Sequence, residues 1–370
     1  MDKVLIKDIA EVVNGSTPST KENSYWDGNI PWITPKDLSA FSGRYISSGE
    51  RNITKEGYLS CSTTLVPKNT ILLTSRAPIG YLAIAKNDLC TNQGFKSLIC
   101  NQSKVLPLYL FYWLSTKIEF LKSISGGATF KELSKTSLEN AVMDLPNIVQ
   151  QQHIVDTIGT VDDLIENLQS QSINLVKIIS HKVAIFEHNN VSNRFSNCFR
   201  CYNGFAFKSS DYTLSGNWKV ITIKNVNDDG FDSASSSKIE MKDDYVPFKL
   251  NIGDIVLTMT GNVGRVGVVD DHNCLLNQRV LKIMCCSKSY LLGYLITHKN
   301  EIVALGKGTA QKNLSLQELK DLFIHNSENE IARFGKANDD LYAELVLLKI
   351  KIRKLSDMKK ALLSKYFSSN

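Results

Sequence analysis

Long apolar runs are absent from this sequence of 370 residues. Nowhere do about 18 apolar residues follow one another, the length that a membrane-spanning helix needs. The first residues also lack the apolar core of a signal peptide, because Asp8 and Glu11 interrupt them early. The 43% of hydrophobic and 22% of charged residues are typical of a globular protein. We therefore expect a cytoplasmic protein of two or three domains.

Cysteine pairs with the spacing of metal ligands are scarce. Of the eight cysteines, only Cys198 and Cys201 are separated by two residues. A zinc ribbon needs a second such pair, and the adjacent Cys285 and Cys286 have poor geometry for ligands. We favour reduced and mostly buried thiols, with a metal site at the first pair as the minor alternative.

Motifs of catalysis are also missing. The sequence has no G-x-x-x-x-G-K-[ST] phosphate loop, and its glycine-rich residues 261–267 lack the dinucleotide-binding spacing, so they favour a structural turn. The Asn/Asp-Pro-Pro-aromatic motif of an adenine methyltransferase is absent. A nuclease needs clustered carboxylates, whereas we expect the adjacent aspartates at 228–229, 243–244 and 270–271 in solvated turns. These absences indicate a protein without catalytic activity of its own.

An internal repeat with a period near 180 residues organises what is present. Four segments of the first half return in the same order in the second half, which makes a chance resemblance improbable. Each half begins with strand-like segments and short turns and ends with a helix-like segment. The paired segments are 30–38 and 218–226, 69–80 and 253–264, 126–134 and 306–315, and 162–165 and 339–342.

Two long helices are predicted at the ends of the halves. Apolar residues recur in alternating steps of four and three over residues 154–186 and 331–366, with no proline inside, which is typical of a coiled coil. The first range would span roughly 50 Å as a helix. Packing of each helix on its own globular domain is the alternative. The seam positions expected in the coiled coil and in subunit docking are Ile158, Val161, Ile165, Leu168, Leu175, Leu341, Leu345, Leu348, Ile352 and Leu355.

These patterns predict a mixed α/β (α+β) fold. We expect two globular domains, residues 1–146 and 191–326, and two helical spacers, residues 147–190 and 327–370. Two copies of one unit related by a pseudo-twofold axis would pair the spacers as an antiparallel two-helix coiled coil that separates the globular domains.

Polar and basic residues in the turns of each half indicate DNA binding. Arginine and lysine hold phosphates or read guanine, while asparagine and glutamine pair with adenine. The net charge is +6, and both predicted globular domains are mildly basic. A solvated surface side chain is the competing interpretation at each single position. The candidate DNA-binding residues are Ser16, Thr17, Lys36, Arg76, Gln93, Thr129, Lys131, Lys208, Lys224, Thr260, Asn262, Arg265, Gln278, Arg279, Thr309, Gln311 and Lys312.

The chain resembles the specificity (S) subunit of type I restriction–modification systems over essentially its whole length. The residues that carry this resemblance are Asp8 to Glu11, Gly15 to Ser19, Tyr25 to Gly28 and Ile30 to Leu38, with the Asp-Asp-Leu helices and Lys359 to Leu363 in support. The resemblance implies two target-recognition domains, each reading one half of a bipartite, asymmetric DNA target. It also implies that the paired helices fix the unread gap.

The same resemblance implies partners and their cofactors. Two methyltransferase (M) subunits, which use S-adenosylmethionine, would dock on the helices, and restriction (R) subunits, which use ATP and Mg²⁺, would join through them. This chain itself would bind no cofactor. It departs from the family where the second half has Gly204 to Phe207 in place of Gly-Ser-Thr-Pro, so we expect the two half-sites to differ.

Two other functions stay open at this point. One is a DNA methyltransferase or nuclease with an unrecognised catalytic motif, which would act as a purified chain. The other is a coiled-coil scaffold without sequence readout, which would bind random and selected DNA equally well.

Overall fold

The computed structural model describes residues 2–39, 41–127, 131–187, 193–228, 230–308 and 312–367. The chain divides into two compact units. Unit 1 comprises residues 1–163 and 358–370, and unit 2 comprises residues 164–357. The candidates Thr129, Thr309 and Gln311 lie outside the described residues.

Unit 1 combines short strands with short helices and with segments of two long helices. Its strands are β1 (Asp2–Leu5), β2 (Ala10–Asn14), β3 (Trp26–Ile33), β4 (Tyr45–Ile46), β5 (Arg51–Ile53), β6 (Ile71–Thr74), β7 (Leu82–Ala85), β8 (Cys90–Thr91), β9 (Phe95–Cys100) and β10 (Val142–Leu145). Its helices are α1 (Ile6–Ile9), α2 (Pro35–Ser39), α3 (Lys55–Leu59), α4 (Pro107–Thr116), α5 (Ile118–Ser123), α6 (Lys135–Glu139) and the first part of α7 (Ile148–Phe186).

The strands of unit 1 form a five-stranded sheet with the order β2-β9-β6-β7-β4, a three-stranded sheet with the order β5-β3-β8, and the pair β1-β10. Strand β6 pairs antiparallel with both β7 and β9, and all four of its residues are buried. A strand that is covered on both faces has no solvent side, which explains why its sequence is a short apolar run rather than an alternation.

Unit 2 repeats this arrangement with different lengths. Its strands are β11 (Asn193–Arg194), β12 (Arg200–Asn203), β13 (Trp218–Ile221), β14 (Val226–Asn227), β15 (Gly230–Phe231), β16 (Ser237–Ile239), β17 (Lys249–Leu250), β18 (Ile255–Thr258), β19 (Val266–Val268), β20 (Cys274–Leu276), β21 (Val280–Met284) and β22 (Phe323–Ile324). Its helices are α8 (Phe195–Cys198), α9 (Lys288–Thr297), α10 (Lys299–Ala304), α11 (Leu316–Lys320) and most of α12 (Glu328–Phe367), together with the end of α7.

The order of strands confirms the internal repeat. The sheet β12-β21-β18-β19 matches β2-β9-β6-β7 strand for strand, and β11-β22 matches β1-β10. The parallel pair β13-β20 in the sheet β16-β13-β20-β17 likewise matches the parallel pair β3-β8. Both halves are thus mixed α/β, as the sequence predicts.

Each unit has one short helix that is buried on nearly all sides. Residues 109–114 of α4 and 289–295 of α9 are buried without interruption. A helix that is apolar all round must lie inside a protein. Proline at the first position begins α4, and the side chain of Ser287 caps α9 by accepting a hydrogen bond from Tyr290 N at 3.1 Å.

The two long helices begin earlier than the apolar seams predict. Helix α7 has 39 residues and α12 has 40, so each is roughly 60 Å long at 1.5 Å per residue. Asn147 Oδ1 accepts from Gln150 N at 2.9 Å, and Ser327 with Glu330 forms a reciprocal capping box. These polar caps determine where the first turn of each long helix begins, and a pattern of apolar residues does not include them.

Inside each unit the long helices contact each other. In unit 1 the ring of His153 lies 6.5 Å from that of Tyr366, and Lys359 Nζ lies 2.6 Å from Asp162 Oδ1. The contact moves backwards along α12 as it moves forwards along α7, so these segments are antiparallel. In unit 2 Phe186 packs on Phe334 with ring centroids 5.0 Å apart. No helix within the described ranges is both long enough and apolar enough to cross a membrane.

Candidate nucleic-acid interface

Backbone hydrogen bonds in unit 1 join several loops into one surface, which we name the first loop cluster (residues 16–17, 75–80, 92–94 and 131–133). Ser75 N donates to Gly94 O at 2.8 Å, and Leu133 N donates to Ser75 O at 2.9 Å. The hydroxyl of Thr17 donates to the side-chain oxygen of Gln93. Four segments that are distant in sequence are therefore held side by side.

The same hydrogen bonds build a second loop cluster in unit 2 (residues 205, 259–264, 277–279 and 312–314). Met259 N donates to Arg279 O at 3.0 Å, and Leu314 N donates to Met259 O at 2.8 Å. Gln278 N donates to Phe205 O at 3.0 Å. The two clusters share a backbone frame while their side chains differ.

A threonine at the end of a buried strand shapes the main turn of each cluster. Thr74 Oγ1 accepts from Gly80 N at 3.2 Å, and Thr258 Oγ1 accepts from Arg265 N at 3.0 Å. Gly80 and Gly264 have φ of +111° and +84°, a backbone conformation that L side chains rarely adopt. The glycines of residues 261–267 thus serve a structural turn, as the sequence favours.

Lys36 and Lys224 occupy equivalent positions in two short turns. In the first turn, the amide and the hydroxyl of Thr34 both donate to Asp37 Oδ2, at 2.7 and 2.6 Å. In the second turn, the amide and the hydroxyl of Thr222 donate to Asn225 Oδ1, at 2.9 and 3.0 Å. Both lysines are exposed on the outside of their turn.

Each of these turns adjoins the loop cluster of its own unit. Asn92 N donates to Ile33 O at 3.0 Å in unit 1, and Asn277 N donates to Ile221 O at 3.2 Å in unit 2. The turn lysine and the cluster side chains therefore belong to one continuous surface in each unit.

The candidate DNA-binding residues differ in exposure. Exposed candidates are Lys36, Gln93, Lys131, Lys208, Lys224, Asn262, Gln278, Arg279 and Lys312. Half-buried candidates are Ser16, Thr17, Arg76, Thr260 and Arg265. Lys208 takes no part in the hydrogen bonds given above for the second cluster. Its carbonyl accepts from Asp211 N at 3.0 Å.

The carboxylate of Glu132 faces Arg76 of the first cluster and Lys96 of β9. Glu132 lies 3.9 Å from Arg76 and 3.5 Å from Lys96, and the side chain of Lys96 is only 9% exposed. The only sequence signal for this contact is an acidic residue beside the candidate Lys131. Arg76 is therefore held by an acidic partner rather than free in solvent.

Arg265 of the turn in unit 2 is held in the same way. Its guanidinium donates to Asp228 Oδ2 at 2.6 Å, and Lys299 Nζ donates to Asp228 Oδ1 at 3.1 Å. These two hydrogen bonds lower the pKa of Asp228. Asp228 thus stays ionised and balances both cations.

In unit 1 the Asp-Asp-Leu segment ties α7 to the globular part. Asp162 accepts from Tyr112 Oη at 2.7 Å and from Lys359 Nζ at 2.6 Å, and lies 3.9 Å from Arg44 Nε. Arg44 also donates to Asp163. Arg44 and Asp162 are both buried, so each charge depends on its partners.

The corresponding segment of α12 has a similar role in unit 2. Asp339 Oδ1 accepts from Ser287 Oγ at 2.9 Å, from Ser289 N at 2.9 Å and from Ser289 Oγ at 2.6 Å. The repeated aspartate therefore marks the point where each long helix meets the inner helix of its unit.

The expectation that Asp270 and Asp271 lie in a solvated turn is wrong. Arg353 Nε donates to Asp270 Oδ1 at 2.9 Å, and its NH1 donates to Asp271 Oδ2 at 3.1 Å. Burial raises the pKa of Asp270. Burial also acts against ionised Asp271, but hydrogen bonds from Lys219 and Ser233 hold the pKa of that carboxyl below its usual value. Neighbouring turn residues can be buried when a helix covers them, which their local sequence does not reveal.

Seam residues of the long helices are largely buried in the units. Ile158, Val161, Ile165, Leu345 and Leu348 are buried, and Leu168, Leu175, Leu341, Ile352 and Leu355 are half-buried. Part of the seam joins the core of unit 2, where Leu345 packs in one cluster with residues of the sheet. Contact between helices and packing on the globular part therefore occur together. Exposed apolar residues on other faces include Leu164, Ile173, Ile178, Ile185 and Leu347.

The cysteines are less buried than expected: Cys90, Cys198 and Cys274 are buried, four others are half-buried, and Cys286 is exposed. Burial raises the pKa of Cys198 and of Cys201 to about 11, so both carry a proton at neutral pH. Among the residues that the structure describes, no three His, Cys, Asp or Glu side chains are grouped so that they could hold a metal ion.

The fold and the duplicated loop clusters define a class of α/β proteins with two equivalent loop surfaces, each built on a sheet and joined to long helices. The family described as the type I restriction modification DNA specificity domain matches residues 1–177 and 197–326. The chain belongs to this family.

Curated relatives include specificity subunits of type I restriction enzymes. The MjaIX specificity subunit of Methanocaldococcus jannaschii is 54% identical over 175 residues, which are 47% of this chain and 40% of that protein. The EcoR124I/EcoR124II specificity subunit of Escherichia coli is 30% identical over 169 residues, or 44% of this chain and 41% of that protein. The chain therefore spans about two fifths of the length of these two relatives. The MjaVIII specificity subunit, also from M. jannaschii, is 24% identical over 87% of this chain and 81% of its own length.

A solved structure with the same fold is that of the type I restriction–modification S subunit from M. genitalium. It is 15% identical, and the match has a TM-score of 0.59 and covers 100% of this chain and 96% of that one. At this identity the likeness supports the fold and not the details of any site.

Proposed function

We propose that this chain is a sequence-specific DNA-binding specificity subunit of a type I restriction–modification enzyme. Residues 1–146 and 191–326 act as target-recognition domains, and residues 147–190 and 327–370 act as helical spacers. Each domain reads one half of a bipartite, asymmetric target. The observation that carries the proposal is that one backbone frame forms both loop clusters while their side chains differ.

The differences between the clusters favour two unlike half-sites. Arg76 in the first cluster stands where Thr260 stands in the second, one residue beyond Ser75 and Met259 in the equivalent hydrogen bonds. Arginine recognises guanine through two hydrogen bonds, whereas threonine makes shorter contacts to either kind of base. Identical frames with unlike side chains therefore read unlike sequences.

The acidic partners Glu132 and Asp228 support sequence discrimination over general affinity. A neighbouring carboxylate balances part of the arginine charge and so weakens its attraction to an arbitrary phosphate. A guanine edge accepts two hydrogen bonds from one guanidinium group, so it can replace the carboxylate as the partner of the arginine. Arg76 and Arg265 are then poised to choose among sites rather than to bind every site.

The partners of the chain are proposed from the family. Two M subunits, with S-adenosylmethionine, dock on the helical spacers, and R subunits, with ATP and Mg²⁺, join the complex. The exposed apolar side chains of Ile173, Ile178 and Ile185 on α7 support docking on the helices. The chain supplies recognition in the cytoplasm, for DNA methylation and host defence, without a catalytic group or cofactor of its own.

Sequencing of methylated sites in cells that carry this chain with its cognate M subunit tests the proposal. We expect a gapped motif with two unlike halves. Arg76→Ala should relax the half read by the first domain, and Arg279→Ala the half read by the second. Absence of a gapped methylated motif would contradict the proposal, and loss of both halves in either variant would indicate misfolding.

An assay of the purified chain separates this proposal from an enzymatic function. Incubation with DNA and labelled S-adenosylmethionine, or with DNA and Mg²⁺, should yield neither methylated nor cleaved DNA. Turnover by the chain alone would overturn the assignment of recognition without catalysis. Equal affinity for random and selected duplexes would instead favour a scaffold without readout.

A further inference from the structure

A pocket of about 230 Å³ lies inside unit 2 beside the start of β19. One side of it is apolar, and the other side is basic. The apolar side chains that line it come from α7, β19 and α9; they are Val176, Val266, Val268, Leu292 and Ile296. The proposed reading of DNA bases uses Arg265 of this pocket, but it does not account for Lys299, Lys349 or the apolar lining.

The basic side of the pocket holds more positive than negative charge. Arg265, Lys299 and Lys349 line it, and Asp228 is the one carboxylate among its described lining residues. Asp228 already accepts from Arg265 at 2.6 Å and from Lys299 at 3.1 Å. One carboxylate shared by two cations leaves the third without an anionic partner in the pocket.

Lys349 is that third cation. It is half-buried, and within the described part of the chain its ammonium group makes no hydrogen bond. Asp270 is the nearby acid, but Arg353 is hydrogen-bonded to that carboxylate at 2.9 Å. Burial lowers the pKa of Lys349, which reflects the cost of holding this charge away from water.

Glycine keeps space open beside the Lys349 ammonium group. Gly230 has φ of +118°, and a Cβ at this position would stand 3.4 Å from Lys349 Nζ. A larger residue here would be strained and would crowd the amine. The pocket therefore combines the Lys349 amine, two further cations and a volume equal to that of about eight waters.

We propose that this pocket binds a phosphate group. Three cations that line one pocket favour an anion over a neutral or cationic ligand, and a tetrahedral oxyanion has enough oxygens to accept from Arg265, Lys299 and Lys349. The group comes from one of two sources, a free phosphate or the backbone of bound DNA. Binding of free phosphate does not depend on the proposed function, because it requires no DNA.

Calorimetric titration of the full chain with inorganic phosphate tests the proposal, with sodium chloride of equal ionic strength as the reference. We expect saturable binding of one phosphate. Lys349→Met removes the charge and keeps the stem, and it should weaken phosphate binding about tenfold. Asp228→Asn removes the competing carboxylate and should strengthen binding about threefold, which a damaged fold would not do. The matched control Lys351→Met, exposed on the same helix, should leave binding unchanged.

Duplex DNA distinguishes the two sources. If DNA displaces phosphate and Lys349→Met weakens DNA binding, the group is a backbone phosphate. If phosphate binds equally well with and without DNA, the group is a free phosphate. Absence of saturable binding to the unmodified chain would overturn the proposal. Equal weakening by Lys349→Met and Lys351→Met would also overturn it, since that result indicates general surface charge.

Discussion

Arg353 on α12 and Asp270 in the turn after β19 form a buried ion pair, with Nε 2.9 Å from Oδ1 and side chains only 18% and 10% exposed. The guanidinium also donates to Asp271. One arginine therefore attaches a long helix to the globular part of unit 2 through two adjacent carboxylates. In unit 1 the polarity is reversed, because there the globular part supplies Arg44 and the helix supplies Asp162 and Asp163.

Removal of Arg353 should destabilise the protein strongly. Arg353→Met leaves the buried Asp270 without its hydrogen-bonded cation, whereas Asp271 keeps Lys219, and loss of the partner of a buried charge costs about 3 kcal/mol in the free energy of unfolding. Chemical denaturation of the full chain measures the change. The control Lys354→Met, exposed on the same helix, should cost less than about 0.5 kcal/mol. Equal stability of both variants would show that the buried pair is not important for the fold.

A side chain at Gly264 should disturb the second loop cluster. In Gly264→Ala the alanine would have to adopt φ of +84°, and its Cβ would stand 2.9 Å from Val303 Cγ2. We therefore expect the free energy of unfolding to fall by about 2 kcal/mol. Thermal unfolding measures this loss, and methylated-site sequencing should show a relaxed second half-site only. The control is Gly126→Ala, where no atom of the residues that the structure describes lies within 4 Å of the added Cβ. A thermally unchanged Gly264→Ala would contradict the requirement for glycine in this turn.

Neutralisation of Glu132 should raise affinity for DNA of any sequence. Glu132→Gln releases Arg76 and Lys96 from their shared carboxylate, so more positive charge faces the phosphates. We expect binding to a random duplex about threefold tighter, with a steeper dependence on salt, in fluorescence anisotropy titrations. Glu119→Gln makes the same change of charge at a side chain that is 88% exposed on α5. An equal gain in both variants would mean that net charge alone is responsible.

Glu187 at the end of α7 should make stability depend on pH. It accepts from Tyr290 Oη at 3.1 Å, and burial raises its pKa above the ordinary 4.5. A raised pKa in the folded state stabilises the fold at pH below 4.5, and this contribution is lost as the pH rises through the folded value. The free energy of unfolding of Glu187→Gln should therefore increase relative to the unmodified chain from pH 4.5 upwards. Denaturant unfolding at several pH values measures it, and a difference that falls with pH would contradict the assignment.

Features with a local cause were predictable from the sequence. The repeat, the buried strands β6 and β18 and the glycine turns follow from short patterns that were copied in both halves. The long helices were also predictable, because apolar spacing over several turns reflects which face of a helix is covered. Their first turns lie outside the apolar seams, because the caps at Asn147 and Ser327 are polar.

The partners of charged side chains were decided only by the tertiary structure. Arg265 and Asp228 lie 37 positions apart in the chain, and Arg353 and Asp270 lie 83 positions apart. No periodicity relates such positions, because their contact depends on how sheets and helices pack. The sequence by itself determined that two copies of one recognition unit would form, each with a long helix. The tertiary structure decided which basic side chains are balanced by a carboxylate, and that no carboxylate of the described residues lies within hydrogen-bonding distance of Lys349.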